Sequence, residues 1–328
     1  MSYIIETRDL TRKFGSFTAV DNISFGVDKG EIFGLLGPNG AGKSTTLSML
    51  CTILRPTSGT ALVSGYDVVR QPSQVRKSIG IVFQDPSIDD KLTGRENLVM
   101  HGDLYGVPRG QMKGRIDDVL KLVELEDRAD DYMSTYSSGM RRRLEIARSL
   151  IHYPRVLFLD EPTIGLDPQS RDHIWSYIRE LIKKEDITII LTTHYMDEAD
   201  KLCNRIAIVD HGKIVAMDTP QRLKEQLGGE SIIVKTSDNP LYAEKIMESG
   251  LAKGVATADG EVRITVDSAH TALPKVVDVA GKAGIYIDSV SIKERQLDDV
   301  FMHYTGRALR QGGKELTGMG RIMRRMHR

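Results

Sequence analysis

Cysteine is nearly missing: Cys51 and Cys203 are the only two in 328 residues, too few for a disulfide framework and without a second thiol at metal-binding spacing. Both are expected to be small core residues. A charge excess of either sign is missing as well. Forty-five Lys and Arg against 45 Asp and Glu give a formal net charge of zero. The surface as a whole therefore lacks the cationic coat that nucleic acid attracts, and no nucleic-acid partner is expected. No run reaches the ~18 apolar residues needed to span a bilayer. The start Met1-Ser2-Tyr3-Ile4-Ile5-Glu6 has no basic segment followed by an apolar one. The chain is expected to stay in the cytoplasm. Its eight histidines show no Cys/His/Asp spacing of a zinc site.

What is present is a globular composition, 40% hydrophobic and 27% charged. Single cores stop growing near ~250–300 residues, so the length favours two domains. Residues 3–35 alternate in short runs (Ile4, Ile5; Val20, Ile23, Phe25, Val27; Ile32, Phe33, Leu35) broken by Gly15, Gly26 and Gly30, a pattern of antiparallel strands and turns. The apolar runs Ile79–Phe83, Val156–Leu159, Thr188–Thr192 and Arg205–Val209 read as buried strands of a mostly parallel sheet with helices. Between about 85 and 150 the pattern is helical, as in Gly94–Tyr105 and Gln111–Leu125. The Gly228-Gly229 pair ends a first domain spanning 1–227. After it come strand 231–235, helix 240–248, strands 252–257 and 261–266, helix 269–283 and strand 285–292. That βαββαβ order predicts a small ferredoxin-like α+β domain over 230–305. Residues 306–328 are glycine-rich and basic, with Arg307, Arg310, Lys314, Arg321, Arg324, Arg325 and Arg328 against Glu315, and read as a solvated tail.

The chemistry lies in the first domain. Gly37-Pro38-Asn39-Gly40-Ala41-Gly42-Lys43-Ser44-Thr45 follows a strand ending in Leu35-Leu36 and precedes a helix, the context of a phosphate-binding loop. Its glycines let backbone N–H groups converge on phosphates at a positive helix N-terminus. Lys43 adds a point charge, and the Ser44 hydroxyl is suited to Mg²⁺. Together they predict Mg·ATP, with Mg²⁺ the only metal. The strand Val156–Leu159 delivers Asp160 and Glu161 at its C-terminal end, where ligands meet open α/β sheets. Asp160 would hold the metal through its water shell, and Glu161 would be the general base toward the attacking water.

Just ahead of that strand stands Tyr136-Ser137-Ser138-Gly139-Met140-Arg141-Arg142-Arg143-Leu144. With it, residues 3–225 resemble an ATP-binding cassette. The fold implied is a P-loop ATPase, a mostly parallel sheet with an antiparallel N-terminal β-subdomain and a helical insertion. Its signature motif is a second helix N-terminus, so Ser137, Ser138 and Gly139 would grip a γ-phosphate bound to the other copy of a homodimer. Tyr136, Ser138 and Met140 depart from the commonest signature, and the bulk of Ser138 bears on dimer closure. The remaining cassette elements follow in order. Phe14 would stack on adenine. Gln84 would touch the metal or the attacking water and begin the helical insertion. Asp167, in Gly165-Leu166-Asp167, belongs to the nucleotide set, and His194 would donate to the γ-phosphate.

Tyr136, the run Met140–Leu144, Thr192-Thr193-His194-Tyr195-Met196-Asp197-Glu198-Ala199 and Gln296-Leu297-Asp298-Asp299-Val300-Phe301 resemble the daunorubicin-resistance type of exporter. In that group an accessory domain follows the cassette, and Leu297–Phe301 would be a short amphipathic helix closing it. The resemblance implies an ATPase subunit, dimeric in the ATP-bound state. It would sit on the cytoplasmic face of the membrane beneath a separately encoded polytopic permease that holds the cargo site. Lipid, polysaccharide and sodium ions are alternative cargoes, and a soluble ATPase acting on ribosome or nucleic acid is the alternative function.

Overall fold

A computed structural model describes residues 3–306 apart from positions 86, 228, 259 and 294. Gly228 and the tail beyond Gly306 therefore lie outside the described residues. The chain opens with a hairpin, β1 (Ile5–Phe14) and β2 (Phe17–Val27), then β3 (Ile32–Leu36), α1 (Lys43–Leu50), β4 (Ser58–Val63), β5 (Tyr66–Asp67), α2 (Pro72–Ser78) and β6 (Ile79–Val82). Three longer helices follow, α3 (Gly94–Leu104), α4 (Arg109–Leu122) and α5 (Ser138–Leu150). The α/β pattern resumes with β7 (Val156–Asp160), α6 (Pro168–Glu185), β8 (Thr188–Thr193), α7 (Met196–Leu202), β9 (Arg205–Asp210), β10 (Lys213–Asp218) and α8 (Pro220–Gln226). The last part comprises β11 (Glu230–Thr236), α9 (Asn239–Ser249), β12 (Gly254–Ala258), β13 (Glu261–Val266), α10 (Ala269–Ala283), β14 (Ile287–Lys293) and α11 (Leu297–Thr305).

The central sheet has the order β10-β9-β3-β8-β7-β6, parallel except for β10. Every residue of β3, β7 and β8 is buried, as continuous apolar runs covered on both faces require. Strand side chains alternate between faces. Leu36, Leu157, Leu159, Ile189 and Leu191 enter one core with the helical insertion, α6 and α7. Phe33, Leu35, Phe158 and Ile190 enter a second core with α1 and the antiparallel sheet β2-β1-β4-β5.

Two expectations change. The sequence pattern groups Ile32–Leu35 with the antiparallel strands, but β3 lies mid-sheet, parallel to β8 and β9. Its residues are apolar without alternation, and burial on both faces follows from that. Strands β4 and β5 were not foreseen. In Ser58–Val63 only Ala61 and Val63 are buried, too little apolar periodicity to register.

The βαββαβ segment forms an antiparallel sheet of order β12-β13-β11-β14 over its own core of Ile232, Val234, Tyr242, Ile246, Val262, Ile264 and Val276. The ferredoxin-like reading of this segment holds. The final helix does not close it, however. Leu297, Val300 and Phe301 join the cassette core, and α11 packs on α7, α8 and β10. An apolar stripe dictates burial, not the surface it meets, and here the helix returns to the cassette.

Candidate nucleotide-binding site

The loop between β3 and α1 is shaped by two glycines that no other residue replaces without a clash. A Cβ at Gly37 would stand 2.2 Å from the Val209 carbonyl oxygen. At Gly42, where φ is +106°, it would stand 2.4 Å from that of Ala19. Gly37 N–H donates to Thr193 O (3.2 Å), and Gly212 N–H donates to Ala41 O (2.9 Å), so β8 and the β9–β10 turn brace the loop. Asn39 and Gly40 stay exposed at its tip, Pro38 is half-buried and Ala41 is buried.

Lys43 opens α1 and is 4% exposed. Its Nζ donates to Gly37 O (2.7 Å) and Pro38 O (3.1 Å) and lies 3.5 Å from Glu161 Oε1. Burial holds this ammonium below the usual lysine range, although Glu161 and Asp160 pull it back up. A buried cation at the mouth of a phosphate loop suits an incoming phosphate. Ser44 Oγ donates to Asp160 Oδ1 (2.9 Å), which also accepts from Thr192 Oγ1 (2.5 Å). These neighbouring hard oxygens fit Mg²⁺, which takes few protein ligands and completes its shell with water and phosphate. Thr45 is half-buried behind Ser44.

Glu161 stands where β7 ends, at φ +48°, a left-handed conformation that costs a non-glycine residue roughly 1–3 kcal/mol. Its N–H donates to Thr192 O (3.1 Å) and Thr192 Oγ1 (3.0 Å). Its Oε2 lies 2.7 Å from His194 Nδ1. Burial pushes the carboxyl up, but the His194 contact and the Lys43 charge outweigh it and leave it below the usual carboxylate range. Lys43, Ser44, Asp160, Glu161 and His194 thus form one connected group.

Other anticipated residues stand apart from that group. Gln84 is exposed, two positions beyond β6. Phe14, at the end of β1, is 41% exposed, with the Arg12 guanidinium 4.5 Å from its ring centre. Ser137 caps α5, its Oγ accepting from Met140 N–H (3.2 Å), and Ser138 and Gly139 form the first turn of that helix. Ser137 and Ser138 are exposed. Asp167 caps α6, accepting from Ser170 N–H (3.0 Å) and Ser170 Oγ (2.6 Å).

Sequence reasoning gave no role to Thr192, which orders both carboxylate residues, or to buried Glu198, which accepts from Thr163 Oγ1 (2.7 Å) and Trp175 Nε1 (3.0 Å). Arg142 likewise figures in the sequence only as part of the signature run. A threonine in a buried strand and a charged residue on an amphipathic helix carry no signal of their own.

The model of the ABC transporter family matches residues 20–164, and that of the ATP-binding protein DrrA1-3-like C-terminal domain matches 219–305. The chain is 41% identical to the daunorubicin/doxorubicin resistance ATP-binding protein DrrA of Streptomyces peucetius, over 92% of each chain. It is 38% identical to the linearmycin resistance ATP-binding protein LnrL of Bacillus subtilis, over 94% of this chain and 100% of that one. Among solved structures, cbiO1 of Clostridium perfringens, part of the ABC transporter complex cbiONQ, superposes with a TM-score of 0.64 at 30% identity, covering 68% of this chain and 91% of its own. A phosphate loop joined to a strand-end carboxylate pair, a capped signature helix and the DrrA-like C-terminal unit place the chain among the ATP-hydrolysing, ATP-binding subunits of ABC transporters, in the daunorubicin-resistance group.

Proposed function

We propose that this ATPase powers export of drugs or other hydrophobic compounds through a separately encoded polytopic permease, as a homodimer on the cytoplasmic face of the membrane. One observation carries the catalytic part. The buried Lys43 ammonium and the Glu161 carboxylate face each other beside Ser44 and Asp160, so a cation for phosphate, oxygens suited to a metal and a carboxylate able to take a proton from water share one place. The export part rests on relatives named for daunorubicin, doxorubicin and linearmycin resistance. Among the described residues no helix is long and apolar enough to cross a membrane, and the relatives are named as ATP-binding proteins, which supports a separate polypeptide as the membrane path.

Backbone N–H groups among residues 39–45, together with Lys43, bind the β- and γ-phosphates of ATP, and Phe14 stacks on the adenine. Ser44 and Asp160 would hold Mg²⁺, with Gln84 reaching toward it from the segment after β6, and the metal would neutralise phosphate charge. Glu161, held unprotonated, takes the proton of the attacking water, and His194 orients Glu161 and donates toward the γ-phosphate. Ser137, Ser138 and Gly139 of a second copy, with Asp167 near the shared face, complete the site in an isologous dimer. Val99, Met100 and Leu104 on α3 are 37%, 41% and 76% exposed. These exposed apolar side chains, on the insertion that Gln84 begins, are the surface offered to the permease.

The test is drug accumulation in cells expressing this chain with its native membrane partner. Wild type is expected to lower intracellular daunorubicin, and Glu161→Gln is expected to abolish both ATP turnover and efflux. Efflux that survives without turnover would overturn the reading.

A further inference from the structure

We propose that Arg142 is a positioning residue: it fixes Glu161, and the segment carrying Gln84, to the helix that Ser137–Gly139 opens. The inference rests on the assignment of Glu161 as the base. Arg142 lies one turn into α5 and is 7% exposed. Its Nε donates to Pro162 O (2.8 Å), and its Nη2 to Asp160 O (3.1 Å) and Glu161 O (3.2 Å). Its Nη1 donates to Phe83 O (2.6 Å) and Glu145 Oε2 (2.9 Å). These bonds engage all of the guanidinium's N–H donors. Four go to backbone carbonyls, and three of those belong to the consecutive residues around Glu161.

That placement answers a question left by the backbone. Glu161 sits at φ +48°, and a non-glycine residue stays in such a conformation only where its surroundings over-determine it. Thr192 holds the Glu161 amide from one side, and Arg142 holds the carbonyls from the other. The same helix face then reaches the segment after β6. Glu145 Oε1 accepts from Ser87 N–H (3.0 Å), and Arg148 donates to the Ser87 carbonyl and hydroxyl. Arg142, Glu145 and Arg148 are spaced i, i+3, i+6 on α5. Gln84 lies between their two anchor points, Phe83 and Ser87. A displacement of α5 at its exposed N-terminus is therefore delivered to Glu161 and to Gln84 without passing through the phosphate loop. Lysine cannot reproduce this, having a point charge and three donors instead of a planar fork.

The experiment uses the purified full chain. Arg142→Lys, Glu161→Gln and the double variant are compared by steady-state ATP turnover, affinity for a fluorescent ATP analogue and thermal melting. Displacing a reacting group by about 1 Å costs about 10²-fold in rate. Arg142→Lys is accordingly expected to lose about that much kcat while KM and analogue affinity change less than about threefold. Acting through Glu161, it is expected to add almost nothing to the loss already caused by Glu161→Gln. If Glu161→Gln is inactive and Arg142→Lys turns over like wild type, the positioning role is refuted and the base assignment stands. If Glu161→Gln itself retains turnover, both fall. Should Arg142→Lys not fold, Glu145→Gln replaces it, since it loosens the fork from its acid side. A several-fold drop in kcat at constant KM then supports the role, and an unchanged kcat refutes it.

Discussion

Removing the Phe301 ring tests where the last helix belongs. Phe301 is 1% exposed and sits in the cassette core rather than in the core of the four-stranded unit that precedes it in sequence. Phe301→Ala should destabilise the cassette by about 3–5 kcal/mol, combining lost burial with the cavity left behind. The chain carries its own reporter. Its single tryptophan, Trp175, is 3% exposed, belongs to the same core and donates to Glu198 Oε1. With a urea m-value of about 3 kcal/mol/M, the Trp175 fluorescence midpoint should fall by roughly 1 M or more. Met302→Ala, at a position 48% exposed, should change stability by less than about 0.5 kcal/mol. If Phe301→Ala leaves the Trp175 transition in place and shifts only the far-ultraviolet signal, α11 stabilises the C-terminal sheet alone and the packing argument is wrong.

Gly42→Ala should lose at least about 2 kcal/mol of stability and most nucleotide affinity, because positive φ and the Ala19 carbonyl both oppose a side chain; a normal melting temperature with intact analogue binding refutes this. Burial pushes His101 down to about 4, with the Arg148 and His152 charges adding to the effect. Between that value and about 6.5 the unfolded chain binds the extra proton, so stability rises with pH across this window and is flat above it. The gain is at most about 3 kcal/mol before solvent screening. His101→Gln should flatten the slope in urea titrations from pH 4 to 7, and an unchanged slope assigns it to other groups. Chelating divalent metal should lower turnover more than about 100-fold, with Mg²⁺ restoring it; turnover that persists in chelator removes Ser44 and Asp160 from metal binding.

The phosphate loop was legible because its glycines answer a local steric demand that leaves a fixed spacing, and the loop lies where the flanking strand and helix put it. Asp160 and Glu161 were legible because an apolar strand has one end at which carboxylates are exposed to a ligand. The Glu161–His194 contact was not, since the two are joined only by the pairing of β7 with β8. Arg142 was hidden for a related reason. Four of its five bonds go to backbone carbonyls, three of them 18 to 20 residues ahead and one at Phe83, and carbonyls have no sequence signature. The helix at Leu297 could be read as amphipathic, but its docking on α7 and α8 is a tertiary choice between two available apolar surfaces.

The central claim is that this ATPase works beneath a separate membrane protein. The direct measurement is to tag the chain, solubilise its native membranes in mild detergent and identify by mass spectrometry what co-purifies. The account predicts a polytopic membrane protein in stoichiometric amount. Recovery of ribosomal or nucleic-acid-bound proteins, with no membrane protein, would contradict it.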